Sequence, residues 1–352
     1  MKKNVGLLLK GPGRMEVTQE ELTPPHEGQV LIRIDNFNLC GSDLGIYDGT
    51  YSGPVNYPIY VGHEWAGTVE QVGPGITDLS EGDTVTGDCS LWCGSCEYCS
   101  KDKNLCEGIE KVGMTRNGAA RRYFVQDAKY VYPAPEIPLG VLSLAEPLAV
   151  GSHAASVARK VMGDLANRRI LILGGGNMGL SLLMILRKVS GCSAPEVYDP
   201  IPYRMEKAIS LGGKTPDDLD YVSGQSPRAS GGDYRHFYSN KAYDIVFEST
   251  GSHAAFPNAL EIVKPLGGIG VIGFVPYAGE NLRLITLKAL KIWGTIGGTG
   301  EFPRVLEAIR RDPDYFEALV THRFPYTDFS RAFETARNKE QALKVQISFS
   351  EA

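Results

Sequence analysis

Nowhere in the 352-residue sequence does an apolar run approach the ~20 residues that a membrane-spanning helix requires. The N-terminal apolar stretch, Val5 to Leu9, is broken by Gly6 and stopped by Lys10. It is too short for a signal-peptide core and reads as a first strand. An excess of one charge is missing too: 36 basic and 41 acidic residues leave a formal charge of -5, with no long run of either sign. That balance argues against nucleic acid or an anionic membrane surface as the main partner. What is left is a soluble, cytoplasmic protein, long enough for two domains and with apolar content for both cores.

Cysteine is scarce, at seven residues, yet four of the seven fall in "CGSCEYCSKDKNLC" as Cys93, Cys96, Cys99 and Cys106. In a reducing compartment such a cluster holds metal more often than it forms disulfides. The spacing C-x2-C-x2-C-x6-C gathers four thiolates without long-range folding, and tetrahedral Zn2+ takes four such ligands at ~2.3 Å. Gly94, Ser95, Glu97, Lys101 and Asp102 make the segment a solvent-side lobe. With no open position, this zinc is structural; an iron–sulfur cluster or incidental thiols are the alternatives. Cys89 and Cys192 read as packed free thiols.

Two earlier segments carry a second donor set. "CGSD" brings Cys40, Ser42 and Asp43 together, and "GHEWAGTVEQVG" places His63 and Glu64 side by side. A mixed nitrogen, sulfur and oxygen set suits a zinc that keeps a coordination position open, although each residue alone could simply be packed.

The second half supplies a nucleotide motif. In "RILILGGGNMGLSLLMILRKV" a short apolar strand runs into Gly174, Gly176 and Gly179, with Asn177 and Met178 between the last two, and then into an apolar helix. Glycines at this spacing permit a tight turn and close approach of backbone to a pyrophosphate at the helix N-terminus. "EVYDP" ends a second strand at Asp199, whose carboxylate can accept from both ribose hydroxyls and repels a 2′-phosphate. NAD is therefore expected, with Arg204 keeping NADP open. "DIVFEST" and "IGVIGF" read as further parallel strands.

Taken in order, "CGSD", "GHEWAGTVEQVG", "EGDTV", the cysteine lobe, "AEPLAVG", "LILGGGNMG", "YDP" and "VKPLGGIGVIGF" resemble the zinc-dependent medium-chain dehydrogenase/reductase superfamily, from the first strand almost to the C-terminus. The resemblance implies an α/β protein with a GroES-like β-barrel catalytic domain over residues 1–152, lobe 89–107 included. A Rossmann doubly wound parallel sheet binding NAD then spans 153–292, and 293–352 returns to the catalytic domain, with the active site between the two. It implies two Zn2+ per subunit, one catalytic and one structural. Cys40 and His63 would hold the catalytic ion, with Glu146 as third ligand, as in the sorbitol, threonine and glucose dehydrogenase branch. Apart from the family, Glu146 reads as a helix N-terminal carboxylate before Pro147. Glu64 would sit in or beside the coordination shell, Asp43 would hold the far nitrogen of His63, and Ser42 would pass the proton outward.

The implied activity moves hydride from a secondary alcohol of a polyol, sugar or (amino)cyclitol to NAD. "CGSDLGIY", "GHEWAGTV" and "YDPIPYR" are similar to aminocyclitol dehydrogenases acting on 2-deoxy-scyllo-inosamine. A non-catalytic NAD(P)-binding structural or sensor protein of the same fold is the alternative. Homo-oligomers, tetramer or dimer, are implied by analogy, through a strand at Leu290 to Gly297 where Ile292 and Ile296 flank Trp293. Polar or aromatic groups for a substrate are sought in Tyr47, Tyr51, Trp65 and Glu64, though Tyr51 and Trp65 suit a core equally.

Three departures stand out. Gly45 replaces the histidine that completes a proton relay in many relatives. "GAARRY" places Arg121 and Arg122 where smaller or apolar residues are usual, as an anion contact, a subunit contact or a solvated pair. Residues 212–244 are polar and poorly patterned where a third strand is usual, and Tyr234, His236 and Tyr238 there form no recognisable site.

Overall fold

Strand Gln29–Leu39 buries Val30, Ile32, Ile34 and Phe37 completely and forms the axis of the first of two units. The computed structural model describes residues 3–225, 237–274 and 282–349. Its two units comprise residues 1–149 with 297–352, and residues 150–296.

In the first unit, one edge of Gln29–Leu39 pairs antiparallel with Glu64–Val72. The other edge is shared: its first half takes Tyr123–Asp127 and its second half Lys344–Ser348. Irregular register at Leu31/Ile32 and Ile34/Asn36 inserts extra residues, which bends and twists a strand and lets one strand serve several partners in a curved sheet. The sheet continues through Thr84–Gly87 and Val131–Pro133 on one side and Val320–Pro325 on the other. A smaller sheet joins Met15–Glu21, Lys3–Leu9 and Ile59–Tyr60. Trp65, fully buried, packs edge-on to Phe124 with ring centroids 5.7 Å apart. Trp65 is therefore a core aromatic and not a substrate contact.

Register decides what gathers at one end of this sheet. Asn38 lies opposite Glu64, and Leu39 opposite Val345. Cys40, His63 and Lys344, the next residues along or their immediate neighbours, are thereby delivered to the same place from three separate parts of the chain.

Among the described residues, the second unit holds a five-stranded parallel sheet in the order Glu196–Tyr198, Ile170–Leu173, Tyr243–Glu248, Val263–Val271, Lys291–Gly294. Strand Ile170–Leu173 has its sequence successor on one side and a later strand on the other. Its C-terminal end is the topological switch point where open α/β sheets bind ligands. Among the described residues of the polar segment, the pairing expected of a third strand is represented by a single bridge, Glu196 to Lys214. Of the three aromatic positions noted there, Tyr238 is exposed, and Tyr234 and His236 lie outside the described residues. Trp293 turns inward, packing edge-on to Phe247 at 6.3 Å, while Ile292 and Ile296 stay exposed. Trp293 thus faces the core while its neighbour Ile292 faces outward, because in a strand alternate residues face opposite sides. Among the described residues no helix is long and apolar enough to cross a membrane.

Candidate metal centre and nucleotide site

Cys40 precedes the helix Gly41–Asp48, and the Asp43 carboxylate one turn in reaches back to it. Asp43 Oδ2 accepts the Cys40 backbone N–H at 2.9 Å, and Oδ1 accepts the Gly62 N–H at 3.0 Å. Oδ1 also lies 3.5 Å from His63 Nδ1, a charge contact longer than a well-formed hydrogen bond. One fully buried carboxylate thus fixes the backbone before one candidate ligand and orients the ring of another. Burial raises the Asp43 pKa, but His63 and the two N–H donors outweigh it and hold the group below its usual value. For His63 burial opposes the charged form, yet Asp43 and Cys40 prevail and raise its pKa well above the usual imidazole value. Electrostatics that favour a proton on this ring favour a cation beside it.

Ligand atoms of Cys40, His63 and Glu64 lie within 4.8 Å of one another. Among the described residues, Glu64 Oε2 is buried without a hydrogen-bond partner, while Oε1 accepts from Lys344 Nζ at 2.8 Å. Lys344 is 1% exposed; burial works against its charge, but Glu64 and Cys40 outweigh that and raise its pKa. An orphaned buried carboxylate oxygen beside a thiol and an imidazole is the donor set a zinc ion takes. The residues present therefore fit that ion.

Glu146 stands apart from this trio. It lies in the first turn of the helix Ala145–Met162, buried, with Oε1 accepting from Cys89 Sγ at 3.0 Å. Burial pushes its pKa up, countered by His63 and reinforced by Glu64, which places it in the same electrostatic neighbourhood. Cys89 is thus no idle packed thiol: it is the donor that holds the Glu146 carboxylate. Cys192, by contrast, is buried and bonds only weakly, 3.4 Å from the Leu165 carbonyl. Neither Lys344 nor Cys89 was legible as a site residue. A lysine inside the apolar run "ALKVQI" is the only local signal of the first, and the second has none.

Ser42 is half-buried on the first turn of its helix. A side chain at Gly45 would meet the backbone and Cβ of Tyr51 at 3.5 Å, ordinary contact that a longer group would have to displace. Tyr51 is half-buried, its hydroxyl bonded to Met114 Sδ at 3.3 Å; burial raises its pKa, and the charges of His63, Cys40 and Cys89 are felt there. Tyr47 instead packs on Phe333, centroids 5.0 Å apart.

In the lobe, the sulfurs of Cys93, Cys96, Cys99 and Cys106 all lie within 4.8 Å of one another. Cys93 and Cys99 are 3.9 Å apart, and Cys96 and Cys106 4.0 Å. A tetrahedron with ~2.3 Å metal–sulfur bonds has edges of ~3.8 Å. The spacing fits one tetrahedral ion; it is too long for disulfides, and a cluster with its own iron and sulfide atoms needs a wider cage. The Ser95 N–H donates to Cys93 Sγ at 3.4 Å, and such bonds lower the Cys93 pKa to about 5, while burial pushes Cys99 up to about 12.

In the second unit the strand Ile170–Leu173 leads into Gly174, at φ +108°, a conformation that disfavours any side chain. A Cβ on Gly179 would lie 1.8 Å from the Gly174 carbonyl, so only glycine lets the helix Asn177–Lys188 start this close to the strand. Gly176 caps that helix without a side-chain hydrogen bond, and Asn177 and Met178 form its first turn. Asp199 Oδ2 accepts the Gly175 N–H at 2.8 Å and Oδ1 the Ile201 N–H at 2.9 Å. Arg204 Nη1 lies 3.3 Å from Asp199 Oδ2. The glycine turn, the acid and the arginine therefore converge at the switch point of the sheet.

Comparison with known proteins bears on both sites. Residues 26–136 match the alcohol dehydrogenase GroES-like domain, and residues 178–311 match the zinc-binding dehydrogenase domain. A zinc-type alcohol dehydrogenase-like protein of Escherichia coli K12 is 30% identical over 99% of this chain and 100% of its own length. The L-threonine 3-dehydrogenase of Pyrococcus horikoshii is 27% identical over 95% of this chain and 96% of its own. Among solved structures, the L-idonate 5-dehydrogenase of Escherichia coli superimposes with a TM-score of 0.84 at 25% identity, covering 99% of each chain.

Proposed function

We propose, from the premise that the chain belongs to the zinc-type alcohol dehydrogenases of the medium-chain superfamily, that it oxidises a secondary alcohol of a polyol, sugar or (amino)cyclitol with NAD. The observation that carries this reading is the cluster of half-buried Cys40 with buried His63 and Glu64, their donor atoms within 4.8 Å of one another, and buried Glu146 in the same electrostatic neighbourhood. The hydroxylated substrates named for L-threonine and L-idonate dehydrogenases support the substrate class.

Cys40, His63 and Glu146 would hold the catalytic zinc, with Glu64 in or beside the shell, and the four lobe cysteines a second, structural zinc. When bound, the ion supplies Lewis acidity toward the substrate hydroxyl, and the nicotinamide supplies a hydride acceptor. Asp43 keeps the His63 ring oriented through the Nδ1 edge, leaving the other nitrogen for the metal. Lys344 anchors Glu64 by one oxygen, so that the second oxygen remains available at the centre. Ser42 would pass the released proton outward, and with Gly45 in place of a histidine the relay would continue through water, Glu64 or a cofactor hydroxyl. Tyr51 would line the substrate side.

Gly174, Gly176, Asn177, Met178 and Gly179 would seat the pyrophosphate, and Asp199 the adenosine ribose. Arg204 takes up part of the Asp199 charge, which favours NADP as a second reading. The sequence boundaries 1–152, 153–292 and 293–352 are retained as the catalytic, nucleotide and returning catalytic segments. A cytoplasmic homo-oligomer completes the proposal.

Cofactor reduction, followed by absorbance, tests it with polyols, sugars, sugar acids, cyclitols, aminocyclitols, threonine and simple alcohols. The expected result is turnover with NAD on one hydroxyl-rich substrate, absent in Cys40→Ala and Glu146→Ala. Turnover confined to simple primary alcohols would overturn the substrate class, and a preference for NADP would reverse the roles given to Asp199 and Arg204.

A further inference from the structure

Asn38 lies in the strand Gln29–Leu39, two residues before Cys40, and is fully buried. Register sets it directly opposite Glu64 on one side and opposite Gln346 on the other. Residues opposed in an antiparallel pair share a face of the sheet, with Cβ atoms ~4.5–5.5 Å apart. Glu64, Asn38 and Gln346 therefore form a row across three strands.

The orientation of the Asn38 amide is fixed from outside that row. Arg323, a donor only, gives its Nε–H to Gln346 Oε1 at 3.2 Å. Gln346 must then turn its nitrogen inward, where Nε2 lies 3.1 Å from Asn38 Oδ1, 2.9 Å from the Gly140 carbonyl and 3.0 Å from Ser143 Oγ. The Ser143 hydroxyl, three residues ahead of Glu146, gives Asn38 Oδ1 a second donor at 3.2 Å. A flipped Asn38 amide would set Nδ2 against the Gln346 donor, so the network admits one orientation. In that orientation Nδ2 is left over, buried and without an acceptor among the described residues.

Glu64 carries the complement. Oε1 is held by Lys344 Nζ at 2.8 Å, and Oε2 is buried without a donor among the described residues. An unpaired anionic acceptor and an unpaired donor thus belong to adjoining residues on one face. Asn36 Oδ1 is likewise unpaired, but it stands two residues along the same strand, ~6.6 Å away, and is neutral. An ionised acceptor makes the stronger bond. Buried polar groups are costly to leave unmade, so this pair marks two groups that meet in another state of the site.

We propose that Asn38 is a positioning residue for Glu64: its Nδ2 donates to Oε2 whenever that oxygen is off the metal, and releases it when Glu64 joins the coordination shell. The proposal rests on the reading of Cys40, His63 and Glu146 as a catalytic zinc site with Glu64 in or beside the shell. Lys344 keeps Oε1 in both states, so the exchange is a rotation of one carboxylate with no charge displaced. Asn38 thereby sets how often a coordination position stands open to the substrate hydroxyl.

Cobalt-substituted protein tests this without turnover, the spectrum of the Cys40→Ala protein being subtracted to remove the lobe ion. Four-coordinate cobalt(II) absorbs more strongly in the visible than five-coordinate cobalt(II). Asn38→Leu keeps the volume and removes the donor, so Glu64 should settle on the metal and the visible bands should weaken. Chelator-driven release of the buried zinc should slow roughly 10-fold, the scale set by losing a hydrogen bond to a charged group. Neither change should appear when Asn38→Leu is made together with Glu64→Ala. Ser143→Ala, which loosens the network but keeps Nδ2, should leave the cobalt spectrum as it is. Lost packing alone would hasten zinc release, with or without Glu64. That outcome overturns the proposal, as does a cobalt spectrum that Asn38→Leu leaves unchanged or that Ser143→Ala alters equally. A parent protein whose cobalt spectrum matches that of Cys40→Ala overturns the zinc reading itself, and the proposal with it. Should Asn38→Leu fail to fold, Asn38→Ser, smaller and too short to reach Glu64, carries the same tests.

Discussion

The cysteine lobe gathers its four thiols from residues 93–106, and Cys93 remains exposed. The Cys40 site draws its groups from positions 40, 43, 63, 64, 89, 146 and 344, and all of them except Cys40 are more than nine-tenths buried. The lobe can close on an ion with local chain alone, so its cost is the entropy of one loop. The buried site is assembled by sheet register, and its charges need mutual compensation because water cannot screen them. One site is an appendage that a bound metal would organise; the other is part of the core that a bound metal would complete.

The sharpest way to break that comparison is to remove one ligand from the buried site and look for damage elsewhere. Cys40→Ala should lower kcat/KM at least ~10³-fold, about 4 kcal/mol of transition-state stabilisation. The lobe should keep its ion, so metal analysis should show a loss of one equivalent of zinc. Loss of both equivalents would mean that the two sites fold as a unit.

Lys344→Met comes next. It leaves the Glu64 carboxylate buried without its cation, and breaking such a pair costs ~3–5 kcal/mol, measurable by denaturant titration. Glu64→Gln added to Lys344→Met should recover much of that loss, since the uncompensated charge is then gone. The folded pKa of Lys344 is raised, so its contribution is complete below the ordinary lysine value and is lost only as pH rises through the folded value. The full deficit should therefore be seen at neutral pH and shrink in strong alkali. A Lys344→Met protein as stable as the parent would show that the buried charges are balanced without it.

The corresponding change in the lobe should be milder. Cys99→Ser removes one of four sulfurs from a segment with few core contacts, so local opening rather than global unfolding is expected. The midpoint of thermal unfolding should fall by roughly 5 °C, with proteolysis confined to residues 93–106 and kcat retained by the folded fraction. A collapse of kcat would make the lobe part of the active machinery.

How far each region could be read beforehand follows the same divide. The lobe was legible because spacing alone brings its ligands together, and the nucleotide turn because Gly174 and Gly179 answer local steric demands. Cys40, Asp43, His63 and Glu64 were legible as two short segments, but their meeting depends on Asn38 lying opposite Glu64, which no local pattern states. Lys344 reaches Glu64 across 280 positions, and Cys89 reaches Glu146 across 57; such pairings are properties of register and packing. Which face Trp293 takes in its edge strand was not legible, because only the presence of Phe247 beside it in the fold decides that.

The smallest expected effect bears on Glu146, which stands outside the trio and takes its hydrogen bond from Cys89. If Cys89 acts by holding the carboxylate in place, Cys89→Ser should be nearly silent, because a hydroxyl can donate as the thiol does. Cys89→Ala should weaken retention of the buried zinc by about tenfold, as loss of a hydrogen bond to a metal ligand generally does. Chelator-driven zinc release resolves the two ions by rate, and only the buried phase should accelerate. Cobalt substitution adds a spectroscopic check. A sulfur-to-cobalt absorption band that persists in Cys99→Ser but weakens in both Cys89→Ser and Cys89→Ala would show that the Cys89 sulfur is itself a ligand. Glu146 would then be the group that positions it, and the order of the two residues would be the reverse of the one their 3.0 Å hydrogen bond suggests.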